Sequence, residues 1–526
     1  MPAPLRLKGI AASSGYAEGP IFPLDRAGPA YTASGSPEEE ERTLRVALDR
    51  ATTRIETLIG GANEESAAIL EFQLAMLADD ALTGPAFAAV AEGKAADDAW
   101  KEAIDAEIVG YEVAADEYFR ARGADLKDIR AQVLSALSDE GNETSPPGAI
   151  LFGEDIAPTR FLETDWSRGG GVALTAGSSA SHVAMLARSR GVPMVVGLGR
   201  AAFEPGGIAL LDAEHGGIVL GPASADIDRF RSASSAWSTR QAGARDYLGR
   251  PAATRDGTPV KVQVNVAAPS DVASIDITHC DGVGLMRTEF LFGKSLPDEE
   301  TQYRAYRTVL EWAKGKPVTI RTVDAGGDKP VPGFTVEEGN PFLGLRGIRL
   351  SLSRPEIFRV QIRALLRAAM HGSLKVMFPM VAIADEYRRA QAMFAEEALM
   401  LQAGGVAHRM PPLGIMVEVP SAAIAPEEFT DAAFFSIGSN DLTQYVMAAA
   451  RDNGAVASLN SVLNPAVLRL IGHVAEFGRA KNIPVSLCGD AGGDPVAIPA
   501  LIKAGLRDLS VVPAQLAAAK AAVASV

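Results

Sequence analysis

The chain has 526 residues, of which 47% are hydrophobic and 22% are charged, and its formal net charge is −15. This length exceeds one ordinary hydrophobic core and predicts roughly two or three domains of a soluble globular protein. We expect no membrane insertion, because no apolar run reaches the roughly 18 residues that a membrane-spanning helix needs. The acidic balance disfavours nucleic acid as the main partner.

The beginning of the chain and its cysteines indicate a cellular compartment. The first residues, MPAPLRLKGIAAS, contain no long apolar core followed by a cleavage site, so we expect no secretory signal. Two cysteines, Cys280 and Cys488, are too few for a disulfide framework. A reducing cytoplasm is therefore the simplest location.

The segment from Glu38 to Asp128 carries nearly all of the acidic excess, with 22 Asp or Glu against 9 Lys or Arg. Its apolar residues recur at helical spacing, and Gly60-Gly61, Gly84-Pro85 and Gly93 are expected to break the helices. The two apolar stripes are Leu44, Leu48, Ala51, Ile55 and Leu58, then Ile69, Phe72, Met76 and Leu77. We predict an acidic bundle of roughly three or four helices, two of which form a hairpin. Its charge serves either solubility or the docking of a basic partner.

Short apolar runs bounded by Gly, Pro or Asp lie on both sides of this bundle and are typical of strands. They are LKGIAAS and GPIFPL before it, and GAILFG, GVALTA, PMVVG, IALLDA and GIVLG after it. The bundle is therefore predicted to be inserted into an α/β unit. Residues 223–250, which are polar, predict a helical connector to a further domain.

Within the α/β unit, the stretch SSASHVAMLARSRGVPMVVG predicts a helix with Ser181 as its N-cap and Gly191 just after its end. His182 falls in the first turn, where the positive end of the helix dipole favours the neutral imidazole. The residue is either structural or a nucleophile whose phosphate would lie near free backbone N–H groups. The helix alone does not decide between these two interpretations.

Eight further strand-like runs follow residue 251, and amphipathic helical stretches separate most of them. The runs are 260–266, 283–287, 317–323, 374–380, 413–419, 433–438, 484–488 and 509–512. Eight β-then-α units in a segment of this length predict a (β/α)₈ barrel. The fold class is therefore multidomain α/β with a carboxyl-terminal TIM barrel.

Polar residues collect where these strands end, which is where such barrels place their active sites. They are Asn265, Arg287, Thr288, Glu289, Arg321, Asp324, Lys329, Arg346, Arg349, Glu418, Ser439, Asn440, Asp441, Cys488, Gly489 and Asp490. Guanidinium groups bind phosphate and carboxylate, and Glu418 and Asp441 are hard oxygen ligands suited to Mg²⁺. Cys488 is a candidate proton donor or acceptor, whereas Cys280 precedes its strand and is interpreted as a packing residue. The pattern predicts a polyanion site with a metal.

Several segments resemble the Enzyme I family of the bacterial sugar phosphotransferase system. The barrel segments that carry the resemblance are GVGLMRTEFLF, IRTVDAGGDKP, NPFLGLRGIRL, GIMVEVPSA, SIGSNDLTQY and SLCGDAGG. LKGIAASSGYAEGPIF resembles the opening strand pair of the family, and SHVAMLARSRGVPMVVG resembles its phosphohistidine motif. The likeness extends over essentially the whole chain.

The resemblance implies a division into domains. Residues 1–36 with 141–222 would form a swivelling phosphohistidine domain, and residues 37–140 an inserted helical bundle that binds the phosphocarrier protein HPr. Residues 223–250 would form a helical linker, and residues 251–526 a phosphoenolpyruvate-binding barrel through which two chains form a homodimer.

The resemblance also implies roles for individual residues. His182 matches the phosphorylated histidine, and Cys488 matches the residue that protonates the enolpyruvate. Glu418 and Asp441 match the Mg²⁺ ligands. The matched substrate-binding residues are Arg287, Arg321, Asn440, Asp441 and Arg451. Lys329, Arg346 and Arg349 lie in matching motifs without an individual role.

One position departs from the family pattern, and two other functions compete with the implied one. Ala180 stands where the family usually has a threonine, two residues before His182, which removes a hydroxyl donor beside the phosphorylated imidazole. A pyruvate phosphate dikinase or phosphoenolpyruvate synthase would need a nucleotide-binding domain, for which the sequence shows no P-loop-like motif. A catalytically inactive sensor of phosphoenolpyruvate has only Ala180 in its favour.

Overall fold

The structure is a computed structural model that describes residues 4–24, 31–60, 64–112, 117–138, 145–177, 181–199, 201, 205–292, 296–327, 331–336, 338–450, 456 and 459–526. Ala180, Lys329 and Arg451 lie outside these residues, and for His182 the description covers the backbone. The chain divides into two compact units, Met1–Trp237 and Ser238–Val526.

A mixed sheet of eight strands forms the α/β part of the first unit. Its strands are β1 (Leu5–Lys8), β2 (Ile10–Ser13), β3 (Tyr16–Pro23), β4 (Ile150–Gly153), β5 (Gly171–Leu174), β6 (Met194–Val196), β7 (Ile208–Asp212) and β8 (Gly217–Leu220). The order in the sheet is β1-β8-β7-β3-β4-β5-β6-β2, and β3 to β6 run parallel. The predicted strands are confirmed, but the opening stretch forms three strands rather than a pair. Gly9 interrupts it after β1, and Gly15 turns the chain before β3 with a φ of 135°.

Between β3 and β4 the described residues form five helices, although these two strands are paired neighbours in the sheet. They are α1 (Pro37–Gly60), α2 (Glu64–Leu77), α3 (Asp80–Ala91), α4 (Ala96–Glu112) and α5 (Glu117–Leu137). The bundle thus contains more helices than predicted. The predicted break at Gly84-Pro85 is wrong, because both residues lie inside α3. Asp79 begins this helix by accepting the N–H of Ala81 at 2.9 Å, and the helix continues through Pro85, which lacks one main-chain N–H donor.

The apolar stripes of the bundle are partly as predicted. On α1, Leu44, Ala51 and Ile55 are buried in the bundle core, as the helical spacing predicts. On α2, Leu77 is buried and Met76 packs against the core as predicted, Phe72 is half-buried, and the side chain of Ile69 lies outside the described residues; Leu70 and Gln73 are buried as well. Gln73 is buried because its Nε2 donates to Asp128 on α5 at 3.0 Å. A buried polar pair inside the bundle therefore links α2 to α5.

Three further helices belong to the first unit or leave it: α6 (Pro158–Glu163), α7 (His182–Arg190) and α8 (Ser224–Arg245). The predicted helical connector corresponds to α8, along which the division between the two units falls. Among the described residues, no single helix is long and apolar enough to cross a bilayer, although Leu70–Leu77 and Asp80–Ala91, bent by 46°, meet the length and composition criteria as a pair.

The second unit is a closed barrel of eight parallel strands, which confirms the predicted fold class. The strands are β9 (Lys261–Val266), β10 (Val283–Met286), β11 (Pro317–Arg321), β12 (Ser373–Phe378), β13 (Leu413–Val417), β14 (Phe435–Gly438), β15 (Val485–Cys488) and β16 (Asp508–Val511). Each coincides with one of the eight predicted runs. Apolar side chains from strands and helices form one continuous core, because parallel barrel strands are covered by helices on the outside.

The barrel helices follow the strands with one exception. They are α9 (Glu299–Trp312), α10 (Ile348–Ser353), α11 (Pro355–Ala368), α12 (Ala384–Ala403), α13 (Pro420–Ile424), α14 (Ser439–Met447), α15 (Pro465–Lys481), α16 (Ile498–Lys503) and α17 (Leu516–Ala524). Between β9 and β10 the described chain forms only two 3₁₀ turns, at 269–274 and 277–279. The first β-then-α unit of the barrel therefore lacks a full helix.

The amino-terminal end of the barrel contains a titratable group that bears on stability. Asp508, the first residue of β16, accepts a hydrogen bond from Gln263 Nε2 and lies near Lys261 and Lys375. Burial raises the pKa of the Asp508 carboxyl to about 6, and these two lysines and the amide only partly oppose it. The amino-terminal face of such a barrel typically serves stability rather than catalysis.

We expect Asp508→Asn to change how stability depends on pH. Because folding raises this pKa from 3.8 to about 6, the protonated carboxyl stabilises the fold at low pH. That contribution is lost as the pH rises from about 4 to about 6. Relative to the unmodified chain, the variant should become more stable by about 1–2 kcal/mol over this interval. Urea unfolding at several pH values measures the difference, and a difference independent of pH would contradict the assignment.

Candidate active site

The predicted polar residues of the barrel lie together at its carboxyl end. They are Arg287 directly after β10, Arg321 at the end of β11, Glu418 directly after β13, Asn440 and Asp441 in the first turn of α14 after β14, and Cys488 at the end of β15. The charges of Glu418, Arg321 and Arg287 all act on the thiol of Cys488, and the charge of Asp441 acts on Glu418. The parallel strands therefore bring these side chains to one site, as the barrel prediction requires.

Arg346 holds two carboxylates of this site in place. Its Nε and NH2 both donate to Asp324 at 3.0 Å, and its NH1 donates to Asp441 Oδ1 at 3.0 Å and to the Tyr445 hydroxyl at 3.3 Å. The side chain is completely buried. Burial opposes the charged guanidinium, but Asp324 and Asp441 more than offset this and raise the pKa of Arg346 above its usual value. Since all three nitrogens are engaged within the protein, Arg346 organises the site rather than binding a ligand.

Close backbone packing allows Arg346 to reach this position. Gly326 has a φ of 103°, and a Cβ at this position would lie 2.7 Å from the carbonyl oxygen of Leu345. A side chain here would push apart the two loops that carry Asp324 and Arg346. The glycine in the stretch DAGGD is therefore a packing requirement of the carboxylate–guanidinium contact.

Arg321 differs from Arg346 because it keeps unused donors. Its NH2 lies 3.0 Å from Glu289 Oε1 and its NH1 lies 3.2 Å from Asp324 Oδ2. Its Nε and NH2 are buried and make no hydrogen bond among the described residues. Burial disfavours the charged guanidinium, but Glu289, Asp324 and Glu418 outweigh burial and raise its pKa. A buried, permanently charged arginine with free donors is suited to an anionic ligand.

Glu418 is a buried carboxyl group beside other carboxyl groups. Its Oε1 accepts the N–H of Met380 at 2.7 Å, and a Cβ at position 438 would lie only 2.8 Å from its Oε2, so Gly438 leaves room for it. Burial raises the pKa of Glu418 to about 8, and the charges of Asp441 and Asp324 add to this effect against the opposing arginines. The ionised form therefore needs a further positive charge nearby.

Cys488 is a buried thiol at the same end of the barrel. Its Sγ accepts a hydrogen bond from the Ser436 hydroxyl at 3.5 Å. Burial raises the pKa of the Cys488 thiol, and the charge of Glu418 raises it further, against Ser436 and the two arginines. At neutral pH the group is therefore a protonated thiol, which can donate a proton but is a poor nucleophile.

Asn440 is fixed by the loop that follows β15. Its Nδ2 donates to Asp490 Oδ2 at 3.2 Å, and its Oδ1 accepts the N–H of Asp490 at 3.1 Å. Gly489, between the end of β15 and Asp490, has a φ of 105°, and a Cβ there would lie 2.9 Å from Asn440 Oδ1. Other predicted residues lie further out: Arg349 contacts Glu386 at 3.3 Å, and Asn265 accepts a hydrogen bond from Ser510 at 2.6 Å within the barrel wall.

The second predicted centre is the helix that begins with His182. Ser181 caps α7 by accepting the N–H of Ala184 at 3.2 Å, and Gly191 ends it in the left-handed conformation with a φ of 66°. Arg188 ties the helix to the sheet by donating to the carbonyl oxygen of Ala12 at 2.8 Å. Both predicted caps are confirmed. His182 is the first helical residue, where main-chain N–H groups without helical partners favour an attached anion.

The donor set of the barrel site fits a divalent cation. Arg321 and Arg346 lie among four carboxyl groups, which are Glu289, Asp324, Glu418 and Asp441. Glu418 Oε2 and Asp441 Oδ2 accept no hydrogen bond among the described residues. No cluster of three or more His, Cys, Asp or Glu side chains in the described chain forms a complete metal site. Two protein carboxylates suit Mg²⁺, which keeps water and phosphate in its shell.

Two residues at this site, Ser436 and Tyr445, were not identified from the sequence. Ser436 lies within β14 and contacts Cys488, and Tyr445 on α14 receives the NH1 of Arg346. Glu289 and Asp324 were noted only by their position at strand ends, yet they are the direct partners of the arginines. The alternation of β14 could have placed Ser436 inside the barrel, whereas no sequence pattern indicates the contact of Tyr445.

Comparisons with known proteins cover nearly the whole chain. Family models match residues 8–122 (PEP-utilising enzyme, N-terminal), 145–216 (PEP-utilising enzyme, mobile domain) and 241–526 (PEP-utilising enzyme, PEP-binding domain). The phosphoenolpyruvate-protein phosphotransferase of Geobacillus stearothermophilus is 37% identical over 544 residues, which cover 98% of this chain and 92% of the relative. That of Latilactobacillus sakei is 36% identical over 531 residues, which cover 96% of this chain and 91% of the relative.

We expect Arg346→Met to destabilise the barrel strongly, because it leaves Asp324 and Asp441 buried without their guanidinium. The expected loss in the free energy of unfolding is about 3–5 kcal/mol. Arg349→Met is the matched control from the same motif. Arg349 is half-buried and makes one contact with Glu386, so the loss should be below about 1 kcal/mol. Urea unfolding of the two variants measures both losses, and equal losses would contradict the role given to Arg346.

Proposed function

This chain belongs to the phosphoenolpyruvate-protein phosphotransferase family, and we propose that it transfers the phosphoryl group of phosphoenolpyruvate to its own His182. The group then passes to a histidine of the phosphocarrier protein HPr, and pyruvate is released. The observation that best supports this function is the buried cluster at the carboxyl end of the barrel, in which Arg321 retains free donors beside paired carboxylates. The proposed domain boundaries are those that the family resemblance implies: 1–36 with 141–222, 37–140, 223–250 and 251–526.

Phosphoenolpyruvate is proposed to bind through Arg321, Arg287 and Asn440. Arg321 presents its Nε, which makes no hydrogen bond among the described residues, beside an NH2 that pairs with Glu289. Arg287 is exposed and has no ion pair in the described part of the chain. Guanidinium groups bind phosphate and carboxylate through paired hydrogen bonds, so two arginines can hold both acidic ends of the substrate. By family resemblance Arg451 is a third such arginine.

Glu418 and Asp441 are the proposed holders of Mg²⁺. When bound, the ion neutralises negative charge on the phosphoryl group and its leaving oxygen. Two hydrogen bonds orient these carboxylates: Arg346 donates to Asp441, and the N–H of Met380 donates to Glu418. The two free carboxylate oxygens then remain available at the site.

In the proposed transfer, a nitrogen of His182 attacks phosphorus. The bond from phosphorus to the enol oxygen breaks, its electron pair stays on that oxygen, and a phosphorus–nitrogen bond forms. Arg321 and Arg287 stabilise the charge that moves during this step. His182 is the first residue of α7, and the positive end of a helix dipole favours a neutral imidazole, which is the nucleophilic form.

Cys488 is proposed to complete the reaction by protonating the enolate of pyruvate on its methylene carbon. The raised pKa of the thiol keeps the proton on sulfur until a carbanion-like acceptor forms. Because the group is buried, bulk water does not replace it as the donor. The product is the keto form of pyruvate.

The second transfer requires a partner, and the acidic bundle is its proposed docking surface. Asp98 and Glu107 on α4 and Glu92 after α3 are exposed carboxylates without ion pairs in the described chain. A carrier with a basic face would be attracted to them.

We also propose that the barrel forms a homodimer and that the reaction takes place in the cytoplasm, where the free thiols Cys280 and Cys488 stay reduced.

Labelling with ³²P-phosphoenolpyruvate in the presence of Mg²⁺ tests the proposed function. We expect an acid-labile label on the unmodified chain and none on His182→Ala, because phosphohistidine is the proposed intermediate. Cys488→Ala should form pyruvate at least about tenfold more slowly, whereas Cys280→Ala, the other buried cysteine, should remain near normal. A chain that takes up no label would overturn the proposal.

The labelled chain also tests the docking surface. Charge reversal at Glu92, Asp98 and Glu107 should slow transfer of the label to HPr and leave labelling of His182 unchanged. The defect should shrink at high salt, because long-range attraction between exposed charges is screened. Unchanged transfer to HPr would place the docking surface elsewhere.

A further inference from the structure

The segment that carries Arg321 and Asp324 is held from behind by a buried network that the proposed mechanism does not use. This segment, residues 321–324, leaves β11 and is buried throughout. Its charged side chains belong to the active site, whereas its main-chain groups need partners elsewhere. The carbonyl oxygen of Arg321 accepts from the Thr288 hydroxyl at 3.0 Å, and the N–H of Val323 donates to Gln361 Oε1 at 3.1 Å.

Gln361 connects these two contacts. It lies on α11, and its Nε2 donates to the Thr288 hydroxyl at 3.4 Å and to the Tyr306 hydroxyl on α9 at 3.0 Å. Tyr306 in turn donates to Gln302 Oε1 at 3.0 Å. Two barrel helices are thereby joined to both sides of one short active-site segment.

The network has only one consistent direction. The N–H of Val323 requires an acceptor, so the amide oxygen of Gln361 must face it and the amide nitrogen must face the two hydroxyls. Each hydroxyl then accepts one hydrogen bond and donates one: Thr288 to Arg321, and Tyr306 to Gln302. A complete network of this kind fixes its members in a single arrangement.

Burying these polar side chains lowers the stability of the fold unless their hydrogen bonds are made. Gln361, Thr288 and Tyr306 are each at most 1% exposed. On α11, Gln361 lies between Phe358 and Ile362, which are buried apolar residues, so an apolar side chain would suit the position for packing alone. The network ends at two main-chain atoms of the active-site segment, the carbonyl oxygen of Arg321 and the N–H of Val323.

We propose that Gln361, Thr288 and Tyr306 are positioning residues that fix the main chain of residues 321–323 so that the free donors of Arg321 meet the phosphoryl group of the substrate. This inference rests on the proposed function. Two ion pairs and the main chain hold the Arg321 guanidinium, whose Nε and NH2 make no hydrogen bond in the described chain. Small shifts of bound groups are costly for catalysis, because the reacting atoms must already be aligned.

Thr288→Val and Thr288→Ser test the proposal, because valine keeps the shape of threonine without its hydroxyl and serine keeps the hydroxyl without the methyl group. Valine removes the hydroxyl that donates to the Arg321 carbonyl, and serine keeps it. We expect Thr288→Val to raise the KM for phosphoenolpyruvate about tenfold with a smaller change in kcat, because Arg321 binds the phosphoryl group before and during transfer. Thr288→Ser, which keeps the hydroxyl, should have a KM within about twofold of that of the unmodified chain. Equal KM values in Thr288→Val and the unmodified chain would overturn the proposal.

Two tyrosines provide a matched control for a merely structural role. Tyr306 and Tyr387 are both buried on barrel helices, and each hydroxyl makes hydrogen bonds; those of Tyr387 go to the carbonyl oxygens of Leu413 and Asp431. Tyr306→Phe and Tyr387→Phe should lower stability similarly, but only Tyr306→Phe should raise KM. If both variants change KM by the same factor, the network acts on the fold in general and the proposal fails.

A binding measurement separates this inference from the proposed function. Calorimetry with phosphoenolpyruvate and Mg²⁺ on the His182→Ala chain reports binding without transfer. Adding Gln361→Met or Thr288→Val should weaken binding about tenfold, whereas in an Arg321→Lys background the same changes should have little further effect. Tight binding in all variants overturns the inference even if the unmodified chain is labelled. If these changes weaken binding about tenfold but the unmodified chain takes up no label, the inference is supported and the proposed transfer fails.

Discussion

The buried guanidinium of Arg346 holds two carboxylates that are distant along the chain, Asp324 at 22 residues and Asp441 at 95 residues. Three loops of the barrel meet at this contact, and their geometry depends on it, because burying an arginine or a carboxylate without its partner is very unfavourable. Asp441 is thereby oriented for a cation, and Asp324 is shared with Arg321, which keeps its own free donors for an anion. The carboxylate oxygens of Glu418 and Asp441 are hard ligands of the kind that a divalent cation prefers.

The charge pattern of this cluster also explains the state of the neighbouring groups. Glu418 and Cys488 both have raised pKa values because both are buried beside negative charge. For Glu418 this means that a bound cation and a proton compete for the same oxygen atoms. For Cys488 it means that the thiol retains its proton at neutral pH, so one electrostatic environment serves both metal binding and proton donation.

Much of this arrangement follows from local sequence. Each barrel strand is a short apolar run that ends in Gly, Pro or a charged residue, and parallel strands place those ends at one face, so Arg321, Glu418 and Cys488 could be assigned to one site. The caps of α7 were likewise predicted correctly from Ser181 and Gly191. Local reasoning failed where a distant partner decides the outcome. Gly84-Pro85 was interpreted as a helix break although the helix that Asp79 caps continues through both residues, and the burial of the polar Gln73 depends on Asp128 of another helix. The roles of Arg346 and Gln361 depend on contacts between different barrel segments, which no periodicity encodes.

Binding of Mn²⁺, measured by electron paramagnetic resonance on the His182→Ala chain with phosphoenolpyruvate present, tests the carboxylate–guanidinium cluster most directly. The account predicts one bound ion per chain, lost in Asp441→Asn and retained in Asp490→Asn, an exposed carboxylate at the same end of the barrel. Equal Mn²⁺ binding in both variants would contradict the assignment of the cluster as the metal and phosphate site.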